Sequence, residues 1–505
     1  MEKGFVRQRW LMAAVIAIGA TDVGNLESRE SSESARWQAM ARADLAAARN
    51  KIREAHPGVI DSQNPEFNDW VERGYEEASD LVPNVMSYDT ALQAVRYYTT
   101  GFNDGHLSYS DDVRADVPIW VSGWRVEKKD GDYVVVTTLR DWPTPLPNEG
   151  DVWIGCDGLE PDVILSHGVG PFVRRGNDSA SRAIQASSAW MLRPVKENFR
   201  ECSFRAADET VSRYRVVFQP ITMRLLFSVI SRSSANGSSP SENTFDLKDG
   251  VLWVRAGNFN LRGGTDDAKD LDQMLLKLSK TTEVEAIVFD VRGNRGGDSG
   301  IGDRIFEAAT GGLDFDRRDI DSLPRYYAQW RVSPHLTAFL DEAIEDSTTI
   351  YGPDSTRVRE EKAFRAKVVA AMSSGEAWVE QDAGYAIKPA DVVERNGRLR
   401  RSPAAIALLT DNRCVSACLD FADIVLQVPG VIHMGEVTGA DSVYMVGSIA
   451  RLPSGNALRV PVKVWRNRPR GNNEPYIPAV KIDLSAPEEK IRQQVLDMLA
   501  PRASP

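Results

Sequence analysis

Histidine is scarce in this chain, five in 505 residues, and neither an HExxH pair nor a His cluster is among them. The usual zinc-hydrolase signatures are thereby excluded, and no metal or other cofactor is expected. Cysteine is rarer still, with four: Cys156, Cys202, Cys414 and Cys418. Cys156 and Cys202 are a reasonable disulfide pair within one domain. Cys414 and Cys418 stand four apart, a spacing that matches no zinc signature. They could bridge, ligate or fill small buried positions, and two small buried residues are expected. An excess of Lys and Arg is also missing, because the net charge is −11. A general nucleic-acid binder is therefore not expected. Beyond the N-terminus no apolar run is long enough to span a bilayer.

What is present is ordinary globular composition, 42% hydrophobic and 26% charged, in a chain long enough for several domains. Residues 1–24 read as a signal peptide. Lys3, Arg7 and Arg9 precede the apolar stretch Trp10–Ala20, and Ala17-Ile18-Gly19 offers a small-x-small cleavage site. An exported protein, periplasmic or secreted, is expected, with an uncleaved N-terminal membrane anchor as the alternative.

Residues 35–112 read as a helical N-terminal domain that ends at the glycine break Gly101–Gly105. Residues 117–223 carry short β-like runs (Trp120–Val126, Tyr133–Leu139, Asp151–Cys156, Val211–Phe218) and read as one β-rich module. The Ser/Gly/Pro-rich stretch 231–243 is a linker. From 245 to 500 strands and amphipathic helices alternate in the rhythm of an α/β core. A charged and mostly helical insertion, 313–401, interrupts that rhythm.

Two stretches of the core carry chemistry. In Ala405–Val428 a short apolar strand meets a polar turn, and Ser416 opens a helix whose polar positions, Asp420, Asp423 and Gln427, form one narrow stripe. Ser416 is either a helix N-cap or a nucleophile exposed where the helix dipole favours negative charge. The other stretch, Asp290-Val291-Arg292-Gly293-Asn294-Arg295-Gly296-Gly297, follows an apolar strand. Its glycines permit positive φ and leave backbone N–H groups uncovered, so it can hold an oxyanion or simply make a tight turn. It is neither a P-loop nor a dinucleotide fingerprint, because both spacings fail.

DVRGNRGG after a strand, ALLTDNRCVSA, GEVTG and the segment Glu474–Pro478 together resemble the tail-specific (C-terminal processing) serine peptidase family. That family includes the tricorn protease core and the repeats of interphotoreceptor retinoid-binding protein. The resemblance implies a ClpP/crotonase-like core behind a helical domain and a PDZ-like module carrying NEGDVWIGCDG. It makes Ser416 the nucleophile, with an oxyanion hole built from the N–H of Ala417 and of Gly296 or Gly297. The lysine that serves as base in the processing branch is missing, since Gly439-Ala440-Asp441-Ser442 stands there, and a Ser–Lys dyad would need Lys463 or Lys481 to swing in. Phe102-Asn103-Asp104-Gly105-His106 resembles the Asp-Gly-His segment of the tricorn-like branch, which makes His106 the base and Glu474 its carboxylate partner.

A serine hydroxyl needs such a base, and the base needs an orienting group. Of the other histidines, His56 precedes a proline turn, His167 lies beside glycines, His335 falls in the insertion, and His433 sits in a buried strand as the second candidate. The expected partner is a peptide or an unfolded protein, with self-association into a homo-oligomer left open. A catalytically inactive peptide- or ligand-binding relative and an acyl-CoA enzyme of the crotonase type are the competing readings. Because His106 and Ser416 fall in different domains, docking of the helical domain on the core is expected to gate activity.

Overall fold

The computed structural model describes residues 32–111, 119–191 apart from 130 and 178, 199–228 apart from 223 and 227, 242–261, 265–311, 327–382, and 405–499 apart from 429. The segment 1–24 expected as a signal peptide, all but the end of the stretch 231–243 expected as a linker, and much of 313–401 lie outside these residues.

Trp37, Ala41, Leu45, Ala48, Ile52 and Ala55 recur three or four residues apart and are all buried, which gives helix α1 (residues 32–55) one apolar stripe. It packs with α2 (Pro65–Ser79) and α3 (Tyr88–Thr100). Proline at the first position presets the φ of α2. At the start of α3 the N–H of Ser87 donates to Thr90 Oγ1 at 3.0 Å. Strand β1 (Ser108–Ser110) follows.

The β-rich module contains β2 (Ile119–Val121), β3 (Trp124–Lys129), β4 (Asp132–Thr138), β5 (Val152–Cys156), helix α4 (Ser179–Ala189), β6 (Glu201–Arg205), β7 (Val211–Arg215) and β8 (Gln219–Ile221). Strands β3 to β7 form an antiparallel sheet in sequence order, and β2 pairs with β8. The single strand expected over Trp120–Val126 is thus two strands in two sheets. Gly123 makes the break, with φ +88 and the Trp142 ring lying where its Cβ would be. Cys156 and Cys202 face each other across β5 and β6 and are bridged.

The core sheet is built from β9 (Asn243–Lys248) and β10 (Val251–Ala256), then helix α5 (Asp266–Leu278), β11 (Ala286–Asp290) and α6 (Ser299–Thr310). The insertion follows as β12 (Tyr327–Arg331), α7 (Pro334–Tyr351), α8 (Thr356–Ser374) and β13 (Trp378–Asp382). After it come β14 (Ala405–Thr410), α9 (Ala417–Leu426), β15 (Ile432–Gly435), β16 (Tyr444–Arg451), β17 (Ala457–Arg466), β18 (Val480–Lys481) and α10 (Glu488–Leu499). The order is β18-β15-β14-β11-β10-β9, parallel except for β9. Alternate side chains separate the two faces. Leu252, Val254, Ile287, Phe289, Ile406 and Leu408 pack against α5, α6 and α9, while Trp253, Val288, Ala407 and Leu409 pack against α10.

A second sheet joins the parts. One edge of β17 pairs with β16; the other takes β1 at its start and β12 at its end. The insertion is therefore more than helical: its strands β12 and β13 extend this sheet beside α7 and α8. Tyr444, Leu458, Val460 and Val464 of β16 and β17 share one apolar core with α1, α2 and α3.

Candidate active site

Strand β14 is buried along its length and ends in the turn 411–415. Ser416 then adopts φ +55 and ψ −127, a region that residues with a side chain seldom occupy. This bend directs the serine side chain out of the strand–helix line, as a nucleophile elbow does. Its backbone carbonyl accepts the first bonds of α9, from Leu419 at 2.7 Å and Asp420 at 3.2 Å. Its hydroxyl does not cap the helix; Ser416 Oγ lies 3.2 Å from His106 Nε2, 310 residues away in the chain. The capping alternative is thus not the arrangement adopted.

Two features hold the elbow. Cys414 and Cys418, expected as separate small buried side chains, are fully buried but joined in a disulfide that straddles Ser416. The glycine turn after β11 lies against it: a Cβ on Gly296, whose φ is +83, would come within 2.7 Å of Val415 O and 2.8 Å of Ser416 Cβ. Gly293 N–H donates to Asp411 Oδ2 at 2.9 Å, which ties the two loops together. Gly296 N–H donates to Asn294 Oδ1 at 2.8 Å. Of the expected oxyanion donors, Gly296 is therefore engaged, which leaves Gly297 and the first N–H of α9, Ala417.

His106 is anchored by its own backbone, whose N–H donates to Asp104 Oδ1 at 2.9 Å. Its Nδ1 is buried and forms no hydrogen bond among the described residues; Asp104 Oδ1 stands 3.9 Å away. Asp104 is itself fully buried. It lies 2.8 Å from His56 Nε2 and accepts from Ser442 Oγ at 2.6 Å. Because His56 Nδ1 accepts the N–H of Gly58 at 3.0 Å, Nε2 must carry the proton and donate to Asp104. Burial keeps the His56 imidazole below its usual range, against the pull of Asp104. Burial also pushes the Asp104 carboxyl up, but the bonds from His56 and Ser442 and nearby histidine charge outweigh it and hold Asp104 low.

Glu474 is exposed and does not meet His106; its Oε2 accepts from Gly471 N–H at 3.1 Å. Its neighbour Asn473 donates from Nδ2 to Asn103 O at 2.7 Å, so the Glu474 loop lies against the segment that carries His106. His433, the second candidate base, bonds Thr410 Oγ1 at 2.9 Å, and burial lowers it to about 4. The polar stripe of α9 has a structural use that residue patterns did not reveal. Asp420 and Asp423 pair with Arg470, which also binds Asp441 at 3.1 Å. Two acidic residues on a buried helix do signal a missing cation, but they do not say where in the chain it is.

The core of this protein belongs to peptidase family S41, whose family model matches residues 250–481. The chain is accordingly a serine-type peptidase, and peptides or proteins are its substrates. Among solved structures, mature CPAF is 12% identical, with a TM-score of 0.58 over 93% of this chain and 99% of that one. Mature CPAF complexed with lactacystin is 12% identical with the same TM-score of 0.58, over 92% and 98%. At such identities the likeness concerns the fold, and it extends past the matched core into the helical region and the β-rich module. No curated protein matches the sequence.

Proposed function

We propose that this protein is an exported serine endopeptidase in which Ser416 is the nucleophile and His106 the general base. His106 Nε2 takes the hydroxyl proton as Oγ attacks the scissile carbonyl, then returns it to the leaving amine, and water repeats the cycle on the acyl-enzyme. The N–H groups of Ala417 and Gly297 would hold the developing oxyanion at the positive end of α9. Glu474 is the carboxylate proposed to complete the site by moving from Gly471 N–H toward His106 Nδ1. Support comes from its place beside Asn473, whose side chain is tied to the Asn103 carbonyl. The β-rich module would act as a PDZ-like holder, taking an extended peptide along its exposed edge strand β7. Export is supported by the two disulfides, which persist in oxidising compartments.

The observation that carries this reading is the 3.2 Å contact between His106 Nε2 and a serine hydroxyl that does no capping. The test compares the wild type with Ser416→Ala on a short chromogenic peptide and on an unfolded protein. Ser416→Ala should stay folded and cut neither, and the wild type should favour the unfolded protein through module capture. Unchanged cleavage by the folded variant would reject the nucleophile. Equal use of both substrates would reject the module's role.

One observation favours the second reading, an inactive binding member of the fold: His106 Nδ1 has no partner among the described residues. Reaction of Ser416 with a serine-directed phosphonate separates the two, since an unactivated hydroxyl stays unlabelled.

A further inference from the structure

A row of side chains on one face of the β16–β17–β12 sheet runs beside the Ser416–His106 pair. Lys463 on β17 faces Met445 on β16 and Trp330 on β12 in register. Its ammonium lies 4.2 Å from the Trp465 ring centroid and 5.2 Å from that of Trp330, so two aromatic faces hold it. Two observations place this row next to the reacting groups. Gly447, two residues along β16 from Met445, packs so close that a Cβ there would come within 3.4 Å of His106 O. From the other side, the charge acting on Lys463 is Asp420, one helical turn beyond Ser416.

Asp420 is not available as its counter-ion. Its Oδ1 takes Arg470 at 3.0 Å and its Oδ2 takes the Ser299 hydroxyl at 2.7 Å. No carboxylate among the described residues forms an ion pair with Lys463, although the residue is only half-buried and solvent can reach it. Burial lowers its ammonium to about 8, which leaves it mostly charged at neutral pH. A cation flanked by two indole faces and no ion-paired carboxylate keeps its attraction for an anion that reaches it from solvent. Between Met445 and Gly447, Val446 takes φ +58, a strained value for a β-branched residue in a strand. Strain of this kind is characteristic of functional sites.

We propose that Lys463, framed by Trp330 and Trp465, is a specificity residue that binds a substrate carboxylate within a few residues of the scissile bond. The carboxylate is either an acidic side chain or the chain's own C-terminus; both offer the same two oxygens. The proposal rests on the peptidase reading above and names the class of substrate for that site.

The test uses matched peptides, Glu against Gln at each position around the cleaved bond, and a free against an amidated C-terminus. Each pair is cut by the wild type, Lys463→Met and Lys463→Arg, and each is titrated by anisotropy onto the Ser416→Ala form of the same three proteins. The wild type should prefer the carboxylate member of one pair by about tenfold in kcat/KM and in affinity. Lys463→Arg should keep that ratio, and Lys463→Met should bring it to about one. A preference for internal Glu assigns a side chain; a preference for the free terminus assigns the chain end. A ratio near one in the wild type, or a ratio kept by Lys463→Met, overturns the proposal. So does equal loss of both members in Lys463→Met, which would make the lysine a base or a structural group. Discriminating binding with no cleavage of any peptide would instead sink the peptidase reading and leave the carboxylate site standing.

Discussion

Replacing Gly296 by alanine tests the role proposed for the bend at Ser416 more sharply than removing the serine hydroxyl. The new methyl group meets backbone: Val415 O at 2.7 Å and Ala417 N at 3.0 Å, with Ser416 Cβ at 2.8 Å. None of these is the far end of a flexible side chain, so the loops themselves must separate. The φ of +83 adds a left-handed cost of about 1–2 kcal/mol, and overpacking adds about 1–3 kcal/mol. Gly375 supplies the control. Its φ is +77 and nothing lies within 4 Å of its Cβ position, so Gly375→Ala carries the conformational cost alone. Denaturant titration of the two variants should therefore differ by about 1–3 kcal/mol, the clash term. Turnover of a chromogenic peptide should differ much more, because misplacing a reacting atom by even 1 Å costs about a hundredfold. Gly375→Ala should be fully active and Gly296→Ala nearly inactive, with slow phosphonate labelling. If Gly296→Ala matches Gly375→Ala in both assays, the glycine turn does not bear on Ser416 and the elbow described here is wrong.

Other consequences follow from the same geometry. The paired change Cys414→Ala with Cys418→Ala removes the bridge across Ser416; it should cost about 2 kcal/mol and lower kcat by more than about tenfold with little change in KM. A variant with wild-type kcat would show that the bridge does not hold the elbow. His433 is neutral in the fold down to about pH 4, whereas the unfolded chain takes up its proton near pH 6.5. Its contribution therefore makes stability fall as pH drops through that window, by up to about 3 kcal/mol, and His433→Gln should flatten the dependence of the urea midpoint on pH between 7 and 4.5. Asp104→Asn leaves His56 and Ser442 competing for one oxygen and should destabilise by about 1–3 kcal/mol, while Glu474→Gln, on an exposed side chain, should lower turnover at unchanged stability. Full activity in Glu474→Gln would transfer the orienting role to Asp104, the nearer carboxylate.

What the sequence disclosed and what it withheld divide along local and non-local lines. The strand–turn–serine–helix unit at 405–426 and the strand–glycine-turn unit at 286–297 are set by neighbours in the chain, and apolar runs ended by Gly and Asp mark both. The contact of His106 with Ser416 has no such mark; only the likeness of Asp104-Gly105-His106 to a family segment pointed to it. The Asp104–His56–Ser442 cluster leaves no local pattern in the sequence, because its members are 48 and 338 residues apart. The joining sheet is non-local in the same way. Strand β1 has three residues, and β12 lies in a region whose charge suggested a solvated helical insertion. Both are strands because β17 offers them an edge.

That joining sheet bears on how the site is regulated. Loose docking of a separate helical domain would let His106 leave Ser416, as the linker and domain order suggested. The structure provides a different attachment. Tyr88, Tyr98, Phe102 and Tyr109 are buried in the same core as Tyr444, Leu458, Val460 and Val464. Polar ties run alongside: Asp44 accepts from Ser454 N at 3.0 Å, Asp61 from Arg466 at 3.0 Å, and His56 O from Arg331. Interdomain motion is the default only when the interface is small or polar, and this one is large and apolar. Lifting the helical region off β16 and β17 would open that core and cost free energy on the scale of unfolding. His106 is therefore fixed to the β16–β17 sheet when the chain folds. What remains adjustable is the exposed Glu474 side chain, whose carboxylate accepts from Gly471 N–H; the loop that carries it is tied to Asn103, Asp441, Val443 and Thr438, and a carboxylate turning toward or away from His106 Nδ1 would be a lower-cost control of the imidazole than movement of a whole domain.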